Sequence, residues 1–511
     1  MRYYVQDPLD RLELLRQLSF GETVAEAEID HLHRYFARTA LWTDLQDGRF
    51  DITLGPKGSG KSALYLLLAR ESASAEEAGR YIIKGENLHD TPVFSQLAEN
   101  PLPNETSYDG LWKLYILTLA IGHLHAKKVQ LPSLKTTREH LVEAGLLRAK
   151  GPLSIRRALS SIRTYLSRLI PQAIEGGIQL DPITLMPSGV KGRIILAEPS
   201  DEQRDLGIVS VDELMRALAV DLEGAGLCTW ILLDRLDEAF VTNRSPESRR
   251  REELAITALL REYTRLISVS SIGLKIFVRS DIWDVVLRNG LPGADHITRK
   301  RYITWDKRAL LHLAAKRIVE NRVLLSRLNM EKTSVLSSDE RQSSLFHSVF
   351  PAHIDSSSLT QTTFDWILAH IRDGRGYMAP RDLVGIMNEA RVAEIHSLEI
   401  GEDRLPEDLQ ALISPVSIRE AMALVSEQHL IFTLINEYPE TRGWIESLRD
   451  GNAILAHADF TQVWGVEMDE VEKRVRLLAE IGLLQTETLS TSGEPVYSVP
   501  LLYRPALGMA W

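Results

Sequence analysis

Phe50 to Ala69 reads FDITLGPKGSGKSALYLLLA, and this stretch decides the fold. Phe50-Asp51-Ile52-Thr53-Leu54 is a short β-type run. Gly55-Pro56-Lys57-Gly58-Ser59-Gly60-Lys61-Ser62 is a complete G-x-x-x-x-G-K-[ST] motif, and the apolar run from Ala63 to Ala69 reads as a buried helix. Strand, glycine loop and helix in that order are the geometry of a phosphate-binding loop. Gly58 and Gly60 let the backbone wrap closely enough for successive N–H groups to point at a polyphosphate, and the helix N-terminus adds partial positive charge. Lys61 is expected to reach the β- and γ-phosphates, and the Ser62 hydroxyl to ligate Mg2+. The candidate nucleotide-contacting residues are therefore Gly55, Pro56, Lys57, Gly58, Ser59, Gly60, Lys61, Ser62 and Ala63.

Such a loop needs a carboxylate on a second strand. Thr229 to Phe240, TWILLDRLDEAF, supplies one: Trp230 to Leu233 is a continuous apolar run, as in a strand buried on both faces, and Asp234 stands at its C-terminal end, where open α/β sheets bind ligands. Asp234 is the expected second metal residue. Asp237 or Glu238 could orient an attacking water, with Glu238 preferred. A third run, Gly273 to Val278, ends in Arg279-Ser280-Asp281; if its strand neighbours the other two, Arg279 lies beside the γ-phosphate, unless it simply pairs with Asp281.

The blocks FGETVAEAEIDHLHRYFART (Phe20–Thr39), GPKGSGKSA, LLDRLDE and KIFVRSDIW, in this order, resemble the AAA+/STAND superclass of P-loop ATPases, including its KAP- and NACHT-like branches. They resemble more closely a group of bacterial P-loop ATPases that accompany mobile or antiviral-defence genes. In NACHT-like proteins a small residue follows the first Asp of the acidic block; here it is Arg235. The resemblance implies ATP rather than GTP, Mg2+ as the metal, hydrolysis coupled to conformational change or assembly, and a homo-oligomer or a partner effector protein. It also makes Tyr377-Met378-Ala379-Pro380-Arg381 similar to the start of a lid helix, with Arg381 as a sensor arginine reaching the γ-phosphate. Other readings are a nucleotide-gated switch with little turnover, and a nucleic-acid-binding adaptor.

The expected fold is an α/β P-loop NTPase core, a parallel sheet flanked by helices, with a helical insertion, a helical lid and a C-terminal winged-helix-like domain. Residues 1–49 read as a helical brace for the core, with Ile29, Leu32, Tyr35 and Phe36 on one helical face. The core spans 50–306, with an insertion at about 127–223 that includes a candidate hairpin over Ile183–Glu198. The lid covers 307–395, and 396–511 carries a helical linker and the winged-helix pattern: an amphipathic helix over Asp469–Leu484, then two β-type runs. Arg244, Arg249, Arg250 and Arg251, or Arg299, Lys300 and Arg301, are candidates for an arginine acting in a neighbouring subunit.

Composition sets the outer limits. With 44% hydrophobic and 25% charged residues over 511, the chain is globular rather than disordered or collagenous. A net charge of −11 excludes a global basic coat for nucleic acid or membrane, and one cysteine, Cys228, excludes an internal disulfide and suits a cytoplasmic protein. No export signal or bilayer-length apolar run is evident, so no membrane contact is expected. Against this acidic background, residues 127–168 hold ten basic and two acidic side chains, a net +8, which makes the segment a candidate footprint for nucleic acid or an acidic protein face.

Overall fold

The computed structural model describes residues 8–85, 102, 104–169, 194–236, 246–288, 290–291, 294–355, 361–405, 410–487 and 495–510. The chain divides into two compact units. One comprises Leu41–Pro56 with Lys61–Tyr302; the other comprises Met1–Ala40, Lys57–Gly60 and Ile303–Trp511.

The first of these units is built on strands β1 (Ile52–Gly55), β2 (Arg80–Lys84), β3 (Ile194–Ile195), β4 (Val209–Ser210), β5 (Cys228–Leu233), β6 (Ile272–Arg279) and β7 (Lys300–Tyr302). Five of them form one sheet in the order β2-β5-β6-β1-β7, every pair parallel. The apolar runs seen in sequence become β1, β5 and β6 because a parallel sheet is covered on both faces. Ile272, Leu274, Ile276 and Val278 of β6 join a core with the helices Glu105–Ala126, Val211–Gly224 and Pro246–Leu266, while Phe277 turns to the other face and meets Tyr65 of the helix Lys61–Arg70 edge-on. Asn104 caps the long Glu105–Ala126 helix by accepting the Ser107 N–H. Its apolar centre is wholly buried, and among the described residues no helix is long and apolar enough to cross a membrane.

The insertion contributes the helices Pro132–Glu143 and Ile155–Leu169. Most of the candidate hairpin lies outside the described residues. Within the described end of that segment, Ile194–Ile195 pairs in parallel with β4 after a helical turn at Asp201–Asp205.

The other unit is helical apart from its last part. The helix Lys307–Ile318 starts where Asp306 accepts the Ala309 N–H, and Pro380 opens the helix Pro380–Glu399, a position where its missing N–H costs nothing. The final part holds β8 (Ile454–Ala456), the helices His457–Trp464 and Met468–Glu480, then β9 (Gln485–Glu487) and β10 (Val496–Ser498), with an antiparallel order β8-β10-β9. Helix-helix followed by a two-stranded wing that recruits an earlier strand is the winged-helix arrangement.

The N-terminal segment departs from expectation. Residues 8–40 group with the lid helices in one unit. Arg11, 2% exposed, pairs with the fully buried Glu394, and Leu14, Leu15, Leu18 and Phe20 share the core of the lid helices. Between Ala25 and Thr39 only Leu32–Tyr35 is helical, and of the anticipated apolar face only Leu32 is buried. The reason is Glu28: it is 3% exposed, pairs with Arg317 through both carboxylate oxygens and accepts the Glu22 N–H. A buried ion pair, worth keeping intact because a lone buried charge is costly, organises this stretch in place of an apolar stripe.

Candidate nucleotide site

β1 runs into the loop at Gly55, and the chain resumes as helix at Lys61. Gly58 (φ +79°) and Gly60 (φ +100°) occupy backbone conformations that L side chains rarely adopt, which is why the loop needs glycine at both positions. The Lys61 ammonium donates to the carbonyls of Gly55 (2.8 Å) and Pro56 (2.9 Å), so its chain folds over the loop it belongs to.

The sheet order brings the acidic strand to the loop. β6 lies between β1 and β5, and Asp234 emerges just past the C-terminal end of β5, 2% exposed. The Ser62 hydroxyl donates to Asp234 Oδ2 at 2.8 Å across a separation of 172 residues. The third run also falls where expected: in the β1–β6 register Arg279 is level with Gly55. Arg279 pairs with Asp281 at 2.6 Å, the ion pair that the sequence also allowed. Arg235, where a small residue stands in NACHT-like proteins, adopts φ +56°, a left-handed conformation that is strained for a residue other than glycine. Asp237, Glu238 and Arg244 lie outside the described residues.

The tip of the loop belongs to the other unit. Lys57 forms an ion pair with Glu437 (2.6 Å) and donates to the Phe432 carbonyl (3.0 Å). Phe432 sits in a π-helical turn, Leu430–Ile435, a rare geometry that is common at functional sites. The Trp305 indole donates to the Ser59 carbonyl at 2.9 Å, and a Cβ added to Gly58 would come within 3.3 Å of the Arg381 Cβ. Among the described residues the Arg381 Nε is buried without a hydrogen-bond partner. Tyr377 is buried nearby on the same unit; burial, with the Asp382 carboxylate adding to it, drives its hydroxyl far above the usual phenol range, against a small opposing pull from Ser59. Pro56, Ser62 and Ala63 are half-buried in the loop and the first turn of the helix.

These residues fit a magnesium-bound triphosphate. Loop amides at the start of a ten-residue helix suit phosphate oxygens, and a hydroxyl hydrogen-bonded to a buried carboxylate is the donor set of a Mg2+ that takes its other ligands from phosphate and water. Among the described residues no group of three or more His, Cys, Asp or Glu is arranged to hold a metal by itself.

The arginine candidates separate. Arg299 is committed to Asp51 (2.6 Å), at the far end of β1. Lys300 donates to the Ile297 carbonyl and lies 5.4 Å from the Trp283 ring, and Arg301 is exposed. Arg249, Arg250 and Arg251 fall in the first turns of the Pro246–Leu266 helix, Arg250 exposed and Arg251 half-buried. Glu437 and Trp305 had no place in the sequence reading, since neither stands near a motif.

No protein-family model and no curated protein matches the chain. Among solved structures it is similar to Cdc6p from Pyrobaculum aerophilum (13% identity, TM-score 0.27, 91% of each chain covered). It is also similar to the Aeropyrum pernix Orc1 protein in complex with DNA (13%, 0.30, 95% of this chain and 92% of that one). A third is Drosophila ORC bound to DNA (11%, 0.24, 97% and 91%). Likenesses this distant carry no inference about function; the site rests on its own geometry.

Proposed function

We propose that the chain is an AAA+-type ATPase that binds ATP with Mg2+ between its glycine loop and Asp234 and couples hydrolysis to a change of conformation. The observation that carries this reading is the 2.8 Å hydrogen bond from Ser62 to Asp234, which brings the loop hydroxyl and the acidic strand to one point. The loop amides and Lys61 bind the β- and γ-phosphates; Ser62 and Asp234 would hold Mg2+, which when bound draws charge from the phosphate oxygens. Glu238 orients the attacking water and holds its proton, with Asp237 as the second choice. Arg279, level with Gly55 at the end of β6, is the arginine we assign to steadying charge that develops on the γ-phosphoryl oxygens, with Arg381 as the further candidate that the resemblance supplies.

The same resemblance that names ATP extends the reading to nucleotide-driven assembly and to bacterial antiviral defence; mass measurement with and without ATP and Mg2+ reports the first of these directly. Steady-state phosphate release tests the core of the proposal. Lys61→Ala is expected to abolish ATP binding, and Glu238→Gln to keep binding while losing turnover by about 100-fold or more. Wild-type turnover in the Gln variant moves the water-orienting role elsewhere, and binding without turnover in the native chain turns the protein into a switch.

A further inference from the structure

The basic insertion takes no part in the nucleotide site, and its side chains are unusually short of partners. Of the ten cations between Lys127 and Arg168, only Lys127 makes an ion pair among the described residues, with Glu76 at 2.7 Å. The Ile155–Leu169 helix, IRRALSSIRTYLSRL, buries Ala158, Leu159, Ile162, Tyr165 and Leu166 and turns Arg156, Arg157 and Arg168 to solvent with Thr164 and Ser167. At its start lies a cavity of about 210 Å3 lined by His125, Arg138, Arg148, Ser154, Arg157 and Ser161 among others, with no carboxylate in the lining. Arg138 donates to the carbonyls of Arg148 (3.1 Å) and Ala149 (2.7 Å), which holds the loop so that Arg148 and Arg157 share that cavity.

We propose that this face docks on the phosphate backbone of a nucleic acid duplex, one phosphate seated in the Arg148–Arg157 cavity and the others tracked by the arginines of the Ile155–Leu169 helix. In a chain of net charge −11, a face whose cations have almost no carboxylate partners among the described residues attracts an external polyanion. An acidic protein partner fits less well. Protein interfaces centre on exposed apolar or aromatic anchors, and no large apolar side chain is exposed between residues 127 and 168. A single strand also fits less well, because it is held by stacking on exposed aromatic rings, and the one Phe, Tyr or Trp in the segment, Tyr165, is 4% exposed with its hydroxyl on the Ile194 carbonyl. Arginines interleaved with hydroxyl groups match sequence-independent backbone contact.

The test is anisotropy of a labelled DNA duplex of about 20 base pairs, titrated with the full chain at salt from about 50 to 200 mM. Affinity should fall linearly on a log–log plot. Arg156→Glu/Arg157→Glu should weaken binding at least about tenfold at the lowest salt and flatten the slope by about 2, one phosphate contact per arginine. The milder Arg157→Gln/Arg168→Gln, on exposed positions, should give the same change in slope with an unchanged melting temperature and unchanged phosphate release. Lys61→Ala should bind the duplex like wild type, so loss of the ATP reading leaves this one standing. Absence of binding at about 50 mM salt, insensitivity to both double substitutions, or tighter binding of a single strand or of a polyglutamate peptide would overturn the proposal.

Discussion

Strand β1 carries a charged cluster at each end, and the two are built on opposite plans. At its N-terminal end Asp51 takes Lys275 (2.8 Å), Arg299 (2.6 Å) and the Tyr263 hydroxyl (3.1 Å), and Lys275 also donates to the Phe50 carbonyl while lying 4.1 Å from the Trp230 ring. Lys275 sits mid-strand at 1% exposure, so every proton of its ammonium has to be answered from within the fold. At the C-terminal end the groups are arranged round a loop: Lys61 donates to carbonyls of its own turn, and the Ser62 hydroxyl donates to Asp234. A closed network of charges stabilises a sheet. A set of donors and one carboxylate converging on a glycine loop is suited to a ligand.

That contrast is open to direct attack. The largest effect should come from Asp51→Ala, which leaves Lys275 buried without its counter-charge and should cost about 3–5 kcal/mol in urea unfolding. Asp234→Ala should end turnover and cost less stability than Asp51→Ala, because Asp234 is not the counter-charge of a lysine buried mid-strand. Equal destabilisation by the two would erase the distinction.

A smaller effect should appear in acid. Burial works against the Asp51 carboxylate, but Arg299 and Lys275 outweigh it and hold its carboxyl below the ordinary range. The unfolded chain then takes up the proton first as pH falls. The stabilisation is complete above about pH 4 and is lost as pH drops through the folded-state value. Lys275, pushed down from its usual value by burial despite Asp51, stays charged throughout that window and adds no slope there. Wild type should therefore lose more stability than Asp51→Asn below about pH 4; identical acid slopes would show that the Asp51 cluster is not what the structure makes it.

Much of the candidate site's local geometry was legible because its signals are local. Gly58 and Gly60 report their positive φ directly, the apolar runs of β1, β5 and β6 announce buried parallel strands, and Asp234 and Arg279 are located by standing at strand ends. The wing was legible for the same reason: Gln485–Glu487 and Val496–Ser498 fall inside the two anticipated β-type runs. What stayed hidden is long-range. The Lys57–Glu437 pair joins residues 380 apart, Trp305 reaches the loop from outside any motif, and β8 is only three residues with one buried side chain. Phe20–Thr39 misled because its apolar spacing looks helical, while the residue that organises it, Glu28, is a buried acid whose partner lies 289 residues away.

The central claim is that the glycine loop and Asp234 converge on one magnesium-bound triphosphate. Calorimetric titration of ATP, with Mg2+ and with a chelator, into wild type and Asp234→Asn tests it most directly. Mg2+ should tighten ATP binding in wild type by about tenfold or more, and the gain should vanish in Asp234→Asn while metal-free binding through Lys61 survives. An undiminished Mg2+ gain in the variant, or no ATP binding by the native chain, would contradict the account.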